Sequence, residues 1–140
     1  MTVEIDHLGI KHMALDPHGP VAHILEMRAY QVETLAKVIC KLPGTGRIYG
    51  PGEYFLTRGN KVYHWKRTTM HQASAPGEPP AGDTGYLAAS ISHEVVKSGD
   101  TLVANVRAKA NYGLYLELGT RYMKPRPFLR PSLSAAMKVK

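Results

Sequence analysis

From Gly119 to Pro131 the chain reads Gly-Thr-Arg-Tyr-Met-Lys-Pro-Arg-Pro-Phe-Leu-Arg-Pro. Prolines at 125, 127 and 131 fix φ, remove backbone donors and bias the residues before them toward extended backbone. This stretch is therefore neither an ordinary helix nor a central strand. It predicts a stiff arm from which Arg121, Lys124, Arg126 and Arg130 project, with Phe128 as its one aromatic anchor. A pre-stiffened segment loses little entropy on docking, so Arg121, Lys124, Pro125, Arg126, Pro127, Phe128 and Arg130 read as an oligomer or partner interface rather than a catalytic pocket.

The charge reinforces that reading. The net charge of +7 belongs entirely to residues 101–140, where eight Lys/Arg face Glu117 alone. Such asymmetry implies an acidic partner, either nucleic acid or a complementary protein face; the bland alternative is a solvated basic tail. At 140 residues the sequence implies one domain with a modest core. The single Cys40 has no intrachain partner, which suits a reducing compartment. No apolar run approaches a membrane span, and Met1-Thr-Val-Glu-Ile-Asp lacks the basic start and apolar middle of a signal peptide. Together these lead to the expectation of a soluble protein made in a cytoplasm.

Val3 and Ile5 alternate with polar residues, a weak strand signal, and Asp6 is placed to cap a short helix running to about Leu15. Pro20 suits the first position of a second, long helix of about residues 20–42, carrying Val21, Ile24, Leu25, Val32, Leu35, Ala36, Ile39 and Leu42 as an apolar stripe interrupted by Arg28. Tyr54–Thr57 and Lys61–Lys66 flank Arg58-Gly59-Asn60 as a hairpin. Met70 to Gly85, with Ala75-Pro-Gly-Glu-Pro-Pro80, is too Pro-rich for regular structure and predicts a loop with few internal contacts. Leu87–Val96 and Thr101–Ala108 read as two strands, with Leu102, Ala104, Val106 and Ala108 on one face. Helical turns are expected at Tyr112–Leu118 and Pro131–Met137. The sum is an α+β fold, one long amphipathic helix on a small, mostly antiparallel sheet with Pro-rich arms.

Catalytic signatures are sparse. The histidines at 7, 12, 18 and 23 share no helical face and no Cys partner, and Lys97 stands where a second His would follow His93-Glu94 in a zinc motif. Cys40 adjoins the stripe and reads as a buried structural thiol. Gly44-Thr-Gly46 lacks the Lys-Ser/Thr of a phosphate loop, Ser90 and Ser92 lack a nucleophile-elbow setting, and the carboxylates form no close pair. The expectation is no enzyme, no cofactor and no metal. Nucleic-acid binding is the stronger alternative: Tyr112, Tyr115, Tyr122 and Phe128 stand among the cations and suit base stacking. Leu114, Leu116 and Leu118 share that segment, however, so the tyrosines are equally placed to pack in the core.

Three blocks resemble the HK-ninety-seven-type phage tail-component family, the neck or tail-completion proteins of long-tailed phages. They are His71-Gln-Ala-Ser-Ala-Pro-Gly-Glu-Pro-Pro-Ala81; Asp83-Thr-Gly85 with Leu87 and Ser90-Ile91; and Tyr112-Gly-x-Tyr-Leu-Glu-x-Gly-Thr120 with Met123, Pro125–Leu129 and Pro131. Ile5-Asp-His-x-Gly-Ile10 also looks like the start of these proteins. The blocks cover about half the chain; the stretch from Arg47 to Thr69 looks longer than the family's pattern. The resemblance implies a non-catalytic virion protein of the head–tail junction, made in the host cytoplasm. It implies a homo-oligomeric ring, hexamer or dodecamer, around the DNA channel, with head-closure and tail-tube or terminator proteins as neighbours. Contact with genomic DNA in the channel would be non-specific, and no membrane is involved. A tail terminator, a head-closure ring and a small basic nucleic-acid-binding protein are the alternatives.

Within the blocks, Pro76, Glu78, Pro79 and Asp83 are the expected loop contacts. Asp83-Thr-Gly85 also suits a turn in which Asp bonds its own backbone, and Gly119 suits a left-handed helix stop. Phe128 and Leu129 either reach a neighbouring subunit or fold back on their own domain.

Overall fold

The computed structural model describes residues 16–138. The expected N-terminal strand and helix, His7, His12 and the Ile5–Ile10 block lie outside the described residues. The elements run α1 (Pro20–Ile39), β1 (Ile48–Tyr49), β2 (Gly52–Arg58), β3 (Lys61–Arg67), β4 (His71–Gln72), α2 (Tyr86–Ser90), β5 (Ile91–Ser98), β6 (Thr101–Ala108), α3 (Gly113–Leu118) and α4 (Leu129–Lys138). The architecture is α+β, one long helix and several short ones with small antiparallel sheets.

Helix α1 begins with Pro20 at its first turn, where a missing donor costs nothing. It ends at Ile39, short of the expected Leu42, because the chain tightens there: Lys41 N–H bonds Val38 C=O at 3.0 Å and Leu42 N–H bonds Ile39 C=O at 3.2 Å. The buried seam is Ala22, Leu25, Ala29, Val32 and Ala36, continued by Cys40. Ile24 and Leu42, expected in the stripe, are exposed. Small side chains win the inner face because α1 packs against β5, β6 and α4 together; alanines every seven residues let three elements approach one helix. Arg28, which interrupts the expected stripe, bonds Gln31 Oε1 at 3.1 Å and the Ala136 carbonyl at 3.2 Å, satisfying an acceptor in the last turn of α4.

Among the described residues the expected single sheet is instead three two-stranded antiparallel pairs, β1–β4, β2–β3 and β5–β6. β1–β4 continues the β2–β3 ribbon beyond short breaks at 50–51 and 68–70, the first carrying Pro51, and the Pro-rich stretch after β4 separates that ribbon from β5–β6. β5–β6 carries the core face as expected, with Leu102 and Ala104 buried under α1 and Val106 and Ala108 packed beside them. The expected strand 87–96 begins only at Ile91. Gly85, at φ +75°, starts the helical turn α2, Ser90 Oγ closes it on the Leu87 carbonyl at 2.7 Å, and Leu87 and Ala88 enter the core.

Glu33 of α1 is the polar tie across this packing. It bonds Lys37 one turn on and His93 of β5, and only 13% of its side chain is exposed. Burial pushes its pKa up, but the hydrogen bonds from Lys37 and His93 outweigh that and hold it below the ordinary 4.5. A carboxylate depressed in the folded state stabilises fully above its unfolded pKa, and the gain is lost as pH falls through the lower folded value. Wild type should therefore melt a few degrees above Glu33→Gln at pH 6–7, the gap closing only below pH 4.5. Thermal melts from pH 7 to pH 3 check this; a gap independent of pH would contradict it.

Candidate partner-contact surface

Helix α3 is turned inside out relative to its sequence. Leu114, Tyr115 and Leu118 face solvent, whereas Glu117 is buried at 8% exposure. The Glu117 carboxylate accepts three successive backbone N–H bonds: Phe128 at 2.8 Å and Leu129 at 2.9 Å to Oε2, and Arg130 at 3.0 Å to Oε1. These are the orphan donors at the start of α4, so Glu117 acts as that helix's N-terminal cap from eleven to thirteen residues upstream. Ser132 Oγ donates to the Phe128 carbonyl at 2.5 Å from within α4. Phe128, at 0% exposure, enters its own core beside Ala36, Cys40, Leu87, Ile91 and Ala110. This corrects the reading of Phe128 as an interface anchor: burying a phenyl ring yields about 1.5–3 kcal/mol, and the carboxylate fixes the backbone that carries it inward. Cys40 shares this region as a buried thiol whose pKa is pushed up to about 12 by burial and by the nearby Glu117.

Arg126 likewise turns inward. Its N–H bonds the Leu116 carbonyl at 2.6 Å and its Nη1 donates to Ser74 Oγ at 2.8 Å. Its side chain is half-buried, so the outward contact expected of it is corrected: the flanking prolines aim it at its own loop. That loop is also better held than its composition predicts. Glu78 accepts from Ala75 N–H at 2.8 Å, from Thr45 N–H at 3.1 Å and from the Thr45 hydroxyl. The hydrogen bonds from Thr45 and Ala75, with Arg126 nearby, hold its pKa below the ordinary carboxylate value. Gly44 explains the rest. A Cβ there would lie 2.2 Å from the Ala73 carbonyl oxygen, so the segment rejected as a phosphate loop is a close backbone approach that seats the loop.

Asp83 does not bond its own backbone as expected. It pairs with Arg67 at 2.5 Å, with His71 at 3.8 Å, and ties the hairpin's base to the loop. Ser74, Pro80, Asp83, Leu87, Tyr112 and Arg126 line one groove of about 220 Å³. Pro76 is exposed, and Pro79 is half-buried in the same loop.

The outward cations are Arg121, Lys124 and Arg130. Gly119, at φ +76°, ends α3 in a conformation open chiefly to glycine, and a Cβ there would also meet Met123 O at 2.8 Å. Thr120 and Met123 then close a tight turn, with the Thr120 N–H bonded to Met123 C=O at 2.8 Å. Arg121 and Tyr122 sit at its tip, guanidinium 5.7 Å from the ring centroid, with Tyr122 85% exposed. Pro125 follows, exposed, and Pro127 is half-buried. The tyrosines at 112, 115 and 122 are all exposed, so the option that they pack in the core does not hold. The resulting surface, Leu114, Tyr115 and Leu118 beside Arg121, Tyr122 and Lys124, is apolar, aromatic and cationic.

Comparison with protein-family models, with curated proteins and with solved structures finds no match. Among the described residues no group of three or more His, Cys, Asp or Glu is placed to hold a metal ion.

Sequence reasoning quoted Glu117 and Ser74 within the family-like blocks but gave neither a role. The available signal for Glu117 was its isolation, the one acid in a basic third, flanked by leucines on an otherwise apolar turn. Replacing Glu117 by Ala leaves three N–H groups without their acceptor and should cost about 2–4 kcal/mol, most of it the penalty of unsatisfied buried donors. Thermal melts should show a Tm lower by roughly 6–15 °C. A shift within experimental error would mean that the carboxylate does not hold the arm.

Proposed function

We propose that this chain is a structural, non-catalytic component of the head–tail junction of a long-tailed phage, a neck or tail-completion protein that forms a ring between filled head and tail. The observation that supports the reading is convergence. The resembling blocks occupy two stretches, 71–91 and 112–131, that lie apart in sequence, yet His71, Ser74, Asp83, Gly85 and Leu87 of the first and Tyr112 and Arg126 of the second line a single groove. The family-like pattern thus corresponds to one structural unit, built by Glu117 and Arg126, rather than to scattered turns. Around that unit the chain presents a stiff basic turn to a neighbouring ring, an arrangement suited to an acidic protein face. In this reading subunits assemble as a hexamer or dodecamer in the virion, beside head-closure and tail-tube or terminator proteins. DNA in the channel is met only through non-specific charge. A tail terminator or head-closure ring would use the same surface.

A second reading, a small nucleic-acid-binding protein, draws on the exposed Tyr122 beside Arg121 and Lys124, with Tyr112 and Tyr115 also exposed, since aromatic faces among cations stack unpaired bases.

The double variant Arg121→Glu, Lys124→Glu separates these. Both side chains are exposed and neither holds the core, so circular dichroism and Tm should be unchanged. In an assay that joins filled heads to finished tails, the variant should lose at least about tenfold in joining efficiency, as charge reversal at a contact costs upward of about 1.4 kcal/mol. Normal joining would overturn the proposal. Tight wild-type binding to single-stranded nucleic acid that persists at high salt and prefers one sequence would favour the second reading.

A further inference from the structure

The hairpin β2–β3 stands off the body. Its pairing register places Tyr54 opposite Trp65, Leu56 opposite Tyr63 and Arg58 opposite Lys61 on one face. Leu56, Tyr63 and Trp65 are exposed, and the Tyr54 and Trp65 rings stack at 5.7 Å. An isolated two-stranded hairpin is marginal in water, and a contiguous apolar face of this kind marks a contact. The face also has a polarity along its length, running from aromatic at the base to cationic Arg58 and Lys61 at the tip.

The matching surface is on the other side of α1. Ile24, Met27, Tyr30 and Val38 form a second, exposed apolar stripe at helical spacing, separate from the buried seam. Beside Tyr30 lies an almost wholly apolar groove of about 270 Å³, lined by Gln31, Thr34, Leu35 and Ala136. Toward the N-terminal end of the stripe stands Glu26, exposed and in no ion pair among the described residues. The stripe from Ile24 to Val38 is about 21 Å long at helical rise, and β2 spans about 20 Å at strand rise. Apolar face meets apolar stripe, and the cationic tip meets Glu26.

We infer that the aromatic face of β2–β3 from one copy docks along the outer stripe of α1 of the next copy, with Trp65 and Tyr63 at the Tyr30 groove and Lys61 facing Glu26. Because the two surfaces differ, the contact is heterologous, and repetition gives a ring where the rotation closes. The inference deepens the ring element of the proposed function but requires only self-association, so failure of the head–tail joining assay leaves it standing.

The test is light scattering on the purified full chain. Wild type should form concentration-dependent species larger than a dimer. A hairpin-face variant (Leu56→Asp, Tyr63→Asp) and a helix-face variant (Met27→Asp, Tyr30→Asp) should each be monomeric. Mixed, they should give a one-to-one heterodimer and nothing larger, since one intact hairpin face meets one intact stripe across a single junction. Lys61→Glu and Glu26→Lys, surface changes that leave the fold intact, should each weaken association at least tenfold and together restore much of it. A wild type that stays monomeric at high concentration, a hairpin-face variant that assembles normally, a mixture that stays monomeric, or a charge swap without rescue would each overturn the inference.

Discussion

One buried carboxylate organises the C-terminal third of this protein. Glu117 is held out of water at 8% exposure, and its two oxygens accept from three consecutive amides at the start of α4. A buried anion without donors would be costly, and a helix start without acceptors would be costly; each cancels the other's penalty. The consequences follow in order. Phe128 is delivered into the core, α4 is aimed at Arg28 of α1, and the arm between Gly119 and Pro127 is closed at both ends. Arg126, inside that closed segment, reaches Ser74 and brings the Pro-rich loop under the arm.

This arrangement sorts the basic residues into two kinds. Arg126 is structural, committed to its own loop, whereas Arg121, Lys124 and Arg130 are displayed. Prolines produce the sorting. They hold the backbone extended, so Arg126 and Phe128, two residues apart, share one direction and turn inward together, and the turn closed by Thr120 and Met123 lifts Arg121 and Tyr122 clear of the body. The same logic inverts α3, which spends its inward face on Glu117 and leaves leucine and tyrosine outside. Its exposed apolar surface is thus a cost of the clamp.

Much of the skeleton was legible because it depends on local chemistry. Pro20 at a helix start, the alternation Leu102-Ala104-Val106-Ala108 and the Gly119 stop each carry a short-range signal that the structure follows. What was not legible depended on distance. The seam of α1 ran through small alanines rather than the largest apolar residues, because the deciding factor was three elements crowding one helix. Arg126 read as outward from its local arm and Phe128 was open between a neighbour and its own domain; only acceptors and packing partners many residues away turn both inward. Glu78 and Asp83 were singled out as loop contacts toward a neighbour, whereas the groups they touch within the chain, Thr45 and Arg67, lie too far along it for spacing to disclose. The separation of β5–β6 from the β1–β4 region follows from the Pro-rich segment between them, an effect visible in composition but not in any single strand.

Backbone hydrogen exchange followed by NMR tests the central role of the Glu117 clamp most directly. The amides of Phe128, Leu129 and Arg130 have the carboxylate as acceptor, and Arg126 has the Leu116 carbonyl. These four should therefore exchange slowly and together, with opening energies near that of global unfolding. The amides of Arg121 and Lys124, on the displayed turn, should exchange orders of magnitude faster. Exchange at Phe128–Arg130 as rapid as at Arg121 and Lys124 would contradict the account, because the arm would then be held by its prolines alone and not by the buried acid.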